Sequence, residues 1–106
     1  TEGAELIAPT TLHAEIGNAF SAMLKRRRMT LDTALQALEA FHKIPVRVSE
    51  IAINDAVKLA ASLGIYAYDA YMIACAHKHR CPLISLDAGL VEAAHRAGVE
   101  TIEVSS

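Results

Sequence analysis

Apolar positions in this chain fall into short runs and helical stripes. Leu6-Ile7-Ala8, stopped by Pro9, predicts a buried strand. Thr10 and Thr11 offer N-cap hydroxyls to a helix whose stripe is Leu12, Ile16, Ala19, Phe20, Met23 and Leu24. That stripe ends in Lys25-Arg26-Arg27-Arg28, cations that suit a helix C-terminus. Thr30 caps a second helix, with Asp32 in its first turn and Leu31, Leu35, Leu38 and Phe41 facing inward. The short connection between the two predicts an αα-hairpin. After Pro45, Val46-Arg47-Val48 alternates like a strand, and Ser49 or Asn54 can start a third helix. Its inner face is Ala52, Ala56, Leu59, Ala60 and Leu63, with Gly64 suited to its C-terminal stop. A fourth helix runs from near Asp69 to about His79, with Pro82 shortly beyond. Leu83 to Leu86 predicts a strand, Asp87 opens a short helix ending at Gly98, and Val99 to Val104 is a last strand. The order β-α-α-β-α-α-β-α-β predicts an α/β fold, a parallel sheet flanked by helices.

Composition narrows the class. A length of 106 residues leaves room for one core and predicts a single domain over 1–106. The chain is 53% hydrophobic and 21% charged, which excludes an intrinsically disordered segment. Mean hydropathy is +0.27, yet no apolar run approaches the roughly 20 residues of a spanning helix. Twenty alanines inflate that figure and point to close-packed helices. Cys75 and Cys81 are too few for a disulfide scaffold and fit a reducing compartment. Thr1 to Glu5 has neither the basic start nor the apolar stretch of a signal peptide, so a cytoplasmic location away from membranes is expected. The net charge of −2 gives no basic field over the whole chain, so any nucleic-acid contact must come from a local patch.

Three carboxylates stand among apolar residues. Glu15 lies on its helix stripe beside Ile16, and Asp69 relates in the same way to Met72, Ile73 and Ala76. Asp87 ends an apolar strand, where open α/β sheets place their binding crevices. A bare buried carboxylate costs several kcal/mol unless something offsets it, and a shared divalent cation with hard oxygen ligands would do so. The competing reading is capping, because Asp69 and Asp87 both stand near helix N-termini. Cys75, His77, His79 and Cys81 form a cluster of soft ligands, but His77 lies about 200° around the helix from Cys75. That spacing favours a core cysteine with polar histidines at a helix end over structural zinc. No nucleophile elbow or glycine-rich phosphate loop occurs.

The acidic residues carry a family resemblance. Glu15-Ile16-Gly17-Asn18-Ala19, Tyr68-Asp69-Ala70-Tyr71 and Pro82-Leu83-Ile84-Ser85-Leu86-Asp87 resemble the second, third and fourth motifs of PIN-domain ribonucleases. Their order and the intervening helices agree over essentially the whole chain, and the nearest subgroup is that of the VapC-type toxins of toxin–antitoxin pairs. The resemblance implies a Mg²⁺- or Mn²⁺-dependent endoribonuclease acting on RNA, usually a homodimer, held inactive by a cognate antitoxin. It implies Glu15, Asp69 and Asp87 as catalytic, metal-holding acids, supported by Asn18 and Ser85. One departure is expected to matter: the family's opening strand, central in its sheet and bearing a further acid, has no counterpart before Leu6.

Two rival readings follow. A PIN remnant without that strand could act only as an antitoxin-binding or self-associating module. An unrelated small α/β domain could use its acids merely to cap helices. Lys25, Arg26, Arg27 and Arg28 are either a solvated helix end or contacts to RNA phosphates. Tyr66, Tyr68 and Tyr71 suit base stacking, packing at a helix start, or contacts to a second chain.

Overall fold

A computed structural model describes residues 5–102, which divide into two compact units between Val48 and Ser49. The first contains β1 (Leu6–Pro9), α1 (Leu12–Lys25), α2 (Leu31–His42) and β2 (Val46–Ser49, whose last residue opens the second unit). The second contains α3 (Ile53–Leu63), α4 (Ala67–His79), β3 (Leu83–Ile84), α5 (Ala88–Arg96) and β4 (Thr101–Ile102). The fold is α/β, as the element order predicts. The described strands form two two-stranded sheets, β1–β2 and β3–β4.

In the first unit, Ala8 and Pro9 are buried and the apolar stripes of the helices are only partly covered. No residue of α1 is fully buried, and Ala19 and Met23 of its stripe are exposed. On α2 the covered face is Ala34, with Leu38 and Phe41 half-buried, while Leu31 and Leu35 are exposed. The expectation that Leu31 and Leu35 face inward is therefore corrected. Ala34, Leu38 and Phe41 follow i, i+4, i+7 spacing, and Leu35 lies about 100° round the helix from Ala34. An edge contact between His13 and Phe41, with ring centroids 5.8 Å apart, joins the two helices.

Helix starts depart from the sequence reading at three places. Thr30 caps α2 as expected, its hydroxyl oxygen accepting from the Thr33 N–H at 3.2 Å. Thr11 precedes α1, but its hydroxyl donates to Glu15 Oε2 at 3.1 Å instead of capping. Neither Ser49 nor Asn54 starts α3: Ala52 occupies the cap position, and Ser49 is hydrogen-bonded to His79 Nε2 at 2.8 Å. The start of α4 lies two residues ahead of Asp69, with Tyr66 at the cap.

Three helix stops share one device. At α1, α4 and α5 the chain turns through a left-handed residue, and paired bonds close the last turn. At α4 the Cys81 N–H donates to Ala76 O and the Arg80 N–H to His77 O. Val99 and Gly98 repeat this on α5, and Arg28 and Arg27 on α1. Gly98 (φ 78°) adopts this conformation freely, as does Gly64 (φ 67°) after α3, but Arg27 (φ 56°) and Arg80 (φ 52°) carry a Cβ there. The left-handed region costs a non-glycine residue about 1 kcal/mol. Arg80→Gly is accordingly expected to stabilise the fold by about that amount, and Arg80→Ala is not. Urea unfolding midpoints of the two variants check this.

The second unit holds the larger core. α3 packs along α4, and Ile73, Ala76, Leu83, Leu90, Ala93, Ala94 and Val99 form a buried cluster flanked by Leu59, Leu63, Ile65 and Met72. β3 and β4 are parallel, in the register Leu83–Thr101 and Ile84–Ile102, with α5 as their crossover. β3 ends earlier than expected and β4 starts later. Ser85 and Leu86 leave β3, and Val99 belongs to the stop of α5. Glu103 and Val104 lie outside the described residues.

Candidate functional site

Two of the three acids lie together in the second unit. Asp69 occupies the third position of α4 and is half-buried, with Ile73 and Ala76 on the same side completely or nearly covered. Its carboxyl is held above the ordinary 3.8, first by lost hydration and second by the negative charge of Asp87. The two acids are near enough for the charge of Asp87 to act on the Asp69 carboxyl. Capping does not explain Asp69, because the cap position belongs to Tyr66 and the Asp69 carboxylate takes no part in it.

Asp87 does cap. Its Oδ1 accepts from the Gly89 N–H at 2.8 Å and the Leu90 N–H at 3.2 Å, satisfying two free donors of α5. Both bonds fall on one oxygen, so capping and ligand binding can coexist on this carboxylate. The Asp87 N–H itself donates to Ser85 Oγ at 3.0 Å, which fixes the turn between β3 and α5. Ser85 thus acts on the backbone of Asp87. Leu86, between them, is 85% exposed.

The remaining candidates belong to the first unit. Glu15 is half-buried on α1 and accepts the Thr11 hydroxyl. Asn18, one turn on, is exposed, and its carbonyl accepts from Ser21 Oγ at 2.9 Å. Lys25, Arg26, Arg27 and Arg28 are all exposed at the end of α1.

Among the described residues, no group of three His, Cys, Asp or Glu side chains is placed to hold a metal. What the second unit offers is a two-carboxylate pair. Magnesium retains several waters and is often held by only one or two carboxylates together with substrate phosphates, so the pair fits such an ion as a partial ligand set. Cys75 is buried, and its thiol is pushed up chiefly by that burial and next by Cys81. This is the setting of an inert core cysteine. An apolar cavity of about 550 Å³ lies over Ile51, Leu59, Leu63 and Ile73, and its lining includes neither Asp69 nor Asp87. The acids instead stand at an open surface, a setting suited to a polymer more than to an enclosed small molecule.

No curated protein matches the chain. The PIN domain family matches residues 4–96, which contain both units' helices and all three acids. Motif order, α/β architecture and family match agree, and this chain belongs to the PIN-domain family, whose fold is of nuclease type.

Proposed function

We propose that the chain is a metal-dependent endoribonuclease of the VapC type, a toxin that cleaves RNA phosphodiesters and is neutralised by a cognate antitoxin. The observation that supports this reading most is the PIN-family match over residues 4–96, joined by Asp69, half-buried on α4 with its carboxyl raised by lost hydration and by the charge of Asp87. A fold tolerates such an arrangement where a cation or a proton is meant to sit. Asp69, Asp87 and Glu15 would hold Mg²⁺ or Mn²⁺. When bound, such an ion orients water, lowers its pKa and offsets charge on the phosphate in transit. The chain's own contribution is positioning. The N–H groups of Gly89 and Leu90 fix Asp87 Oδ1, which aims the second oxygen of that carboxylate. Ser85 fixes the backbone from which Asp87 projects, and Asn18, exposed one turn beyond Glu15, would supply a further polar group there.

The reading is tested with single-stranded RNA and the purified chain. Cleavage is expected with Mg²⁺ or Mn²⁺, is abolished by EDTA, and is lost in Glu15→Gln. An unchanged rate in Glu15→Gln would remove that residue from the site. Lys25, Arg26, Arg27 and Arg28 are assigned to RNA phosphates. Replacing Lys25, Arg26 and Arg28 with Gln should flatten the salt dependence of binding by about 0.7 in log–log slope per lost contact. An unaltered slope means the run is only a solvated helix end.

A second reading is a non-catalytic PIN module that binds an antitoxin or a second copy in a homodimer. Leu31 and Leu35 on α2 and Ile53 and Val57 on α3 favour it, all more than half exposed and suited to a partner surface. Antitoxin binding without any RNA cleavage would select this reading.

A further inference from the structure

The cavity beside Ile73 plays no part in the ribonuclease reading, and neither Asp69 nor Asp87 lines it. Its volume is about 550 Å³, and it is walled by α3, the second half of α4 and the end of α5. Sites for small molecules span about 300–1,000 Å³, are mostly apolar and carry a few fixed polar groups. This cavity has that make-up. Ile51, Leu59, Leu63 and Ile73 supply its apolar wall, and Asp55, Lys78 and Arg96 its charge.

Two long-range bonds hold the cations in place. Lys78 Nζ donates to Glu50 O at 3.0 Å, just before α3, and Arg96 Nη1 donates to Leu63 O at 3.0 Å, at the end of α3. Each bond reaches across to α3 from a facing helix, so the two charged heads are fixed relative to the cavity. Their pairing differs. Arg96 Nε is paired with Glu92 Oε1 at 2.9 Å. Among the described residues no carboxylate lies within ion-pair distance of Lys78. Its bond to Glu50 O leaves two ammonium N–H donors over. Against the two cations the lining sets one acid, Asp55, so its balance is positive.

This combination selects among occupants. A wholly apolar molecule leaves the Lys78 ammonium unmatched, and a cation meets like charge. A polyanion meets one unpaired ammonium and an apolar wall that cannot solvate its remaining charges. We propose that the cavity binds a small monoanionic amphiphile, an aliphatic carboxylate whose chain packs among Leu59, Leu63 and Ile73 and whose carboxylate accepts from Lys78 Nζ.

Octanoate, below its micellar concentration, is the probe, and methyl-labelled Ile, Leu and Val report its binding by NMR. The methyl signals of Leu59, Leu63 and Ile73 are expected to shift together and to saturate, while those of Leu12 and Leu24 in the first unit stay in place. Octanol and octyltrimethylammonium are expected to bind at least about fivefold more weakly. Lys78→Met keeps the apolar stem and removes the charge, so it should weaken octanoate about tenfold and leave octanol within about twofold. Ala74→Leu puts a larger side chain into the cavity wall and should abolish the shifts at a melting temperature near the parent's. Shifts that spread over both units without saturating overturn the proposal, as does octanol binding as tightly as octanoate. So does Lys78→Met binding octanoate as tightly as the parent. Octanoate shifts that persist in Ala74→Leu place the binding elsewhere and overturn it as well. Signals of Leu59, Leu63 and Ile73 that move on dilution without any ligand overturn it in favour of a second copy seated on the cavity.

Discussion

Asp69→Asn is expected to abolish RNA cleavage while making the protein more stable at neutral pH. The Asp69 carboxyl is raised above 3.8 by lost hydration and, secondarily, by Asp87. A raised native pKa means that the folded chain binds this proton more tightly than the unfolded chain does. The resulting stabilisation is complete below 3.8 and is lost as pH rises through the native value. Above that value the Asp69 charge is partly dehydrated and stands in the field of Asp87, so it costs stability. Asparagine keeps the shape and removes the charge, so the melting temperature at pH 7 should rise, and the gain should shrink on acidification. Cleavage should fall more than about 100-fold, since even groups that only support a metal ligand are commonly worth 10- to 100-fold.

Asp87 gives the matching test. Asp87→Asn retains an acceptor for the Gly89 and Leu90 N–H groups, so it should cost little stability, lose cleavage and lower the Asp69 pKa. Asp87→Ala should lose the cap as well, at about 1 kcal/mol. Melting curves across pH, carboxyl NMR titration and an RNA cleavage assay separate these outcomes. If both asparagine variants still cleave, the paired acids are not the active site. An Asp69→Asn variant less stable than the parent at pH 7 would show that the carboxylate is structural.

The second large effect lies beneath that site. Ile73 is completely buried at the centre of the second unit's cluster, one helical turn after Asp69. Truncating such a side chain removes its burial and leaves a cavity, at about 2–5 kcal/mol. Total stabilities are typically about 5–15 kcal/mol, so Ile73→Ala should remove a large share and leave the second unit marginal. Ile73→Val, losing one methylene, should cost about 0.5–1.5 kcal/mol. Chemical denaturation with circular dichroism measures both. A cost below about 1 kcal/mol for the alanine variant would mean that the cluster collapses freely around the gap. Because Ile73 and Asp69 share a face of α4, the alanine variant should also loosen the acid pair, and activity should fall before global unfolding.

Much of the fold was legible in the chain. Helical periodicity located the first three helices, and Asp69, Pro82, Asp87 and Gly98 bracketed the other two described ones, because backbone preference and apolar spacing act within a few residues. The strands at 83 and 101 were placed but overextended, since a two-residue ladder is set by its partner and not by its own apolar run. Leu31 and Leu35 carried a helical stripe as strong as any, yet stand exposed, because periodicity says that a face is apolar and not what covers it. Arg27 and Arg80 at left-handed stops were not legible either, since arginine carries no signal for that conformation.

The site divides along the same line. Sequence alone picked out Glu15, Asp69 and Asp87 as candidate acids in motif order, and it set capping against ligand binding as alternatives for Asp69 and Asp87. Tertiary structure decided that Asp87 caps through one oxygen only, that Asp69 does not cap, and that Asp69 is half-buried where the charge of Asp87 reaches it. It also left Tyr66 and Leu86 largely exposed to solvent. The reason is range. Caps, stripes and stops are fixed by contacts a turn apart, whereas the pairing of two carboxylates 18 positions apart depends on how α4, β3 and the start of α5 pack, which no local pattern encodes.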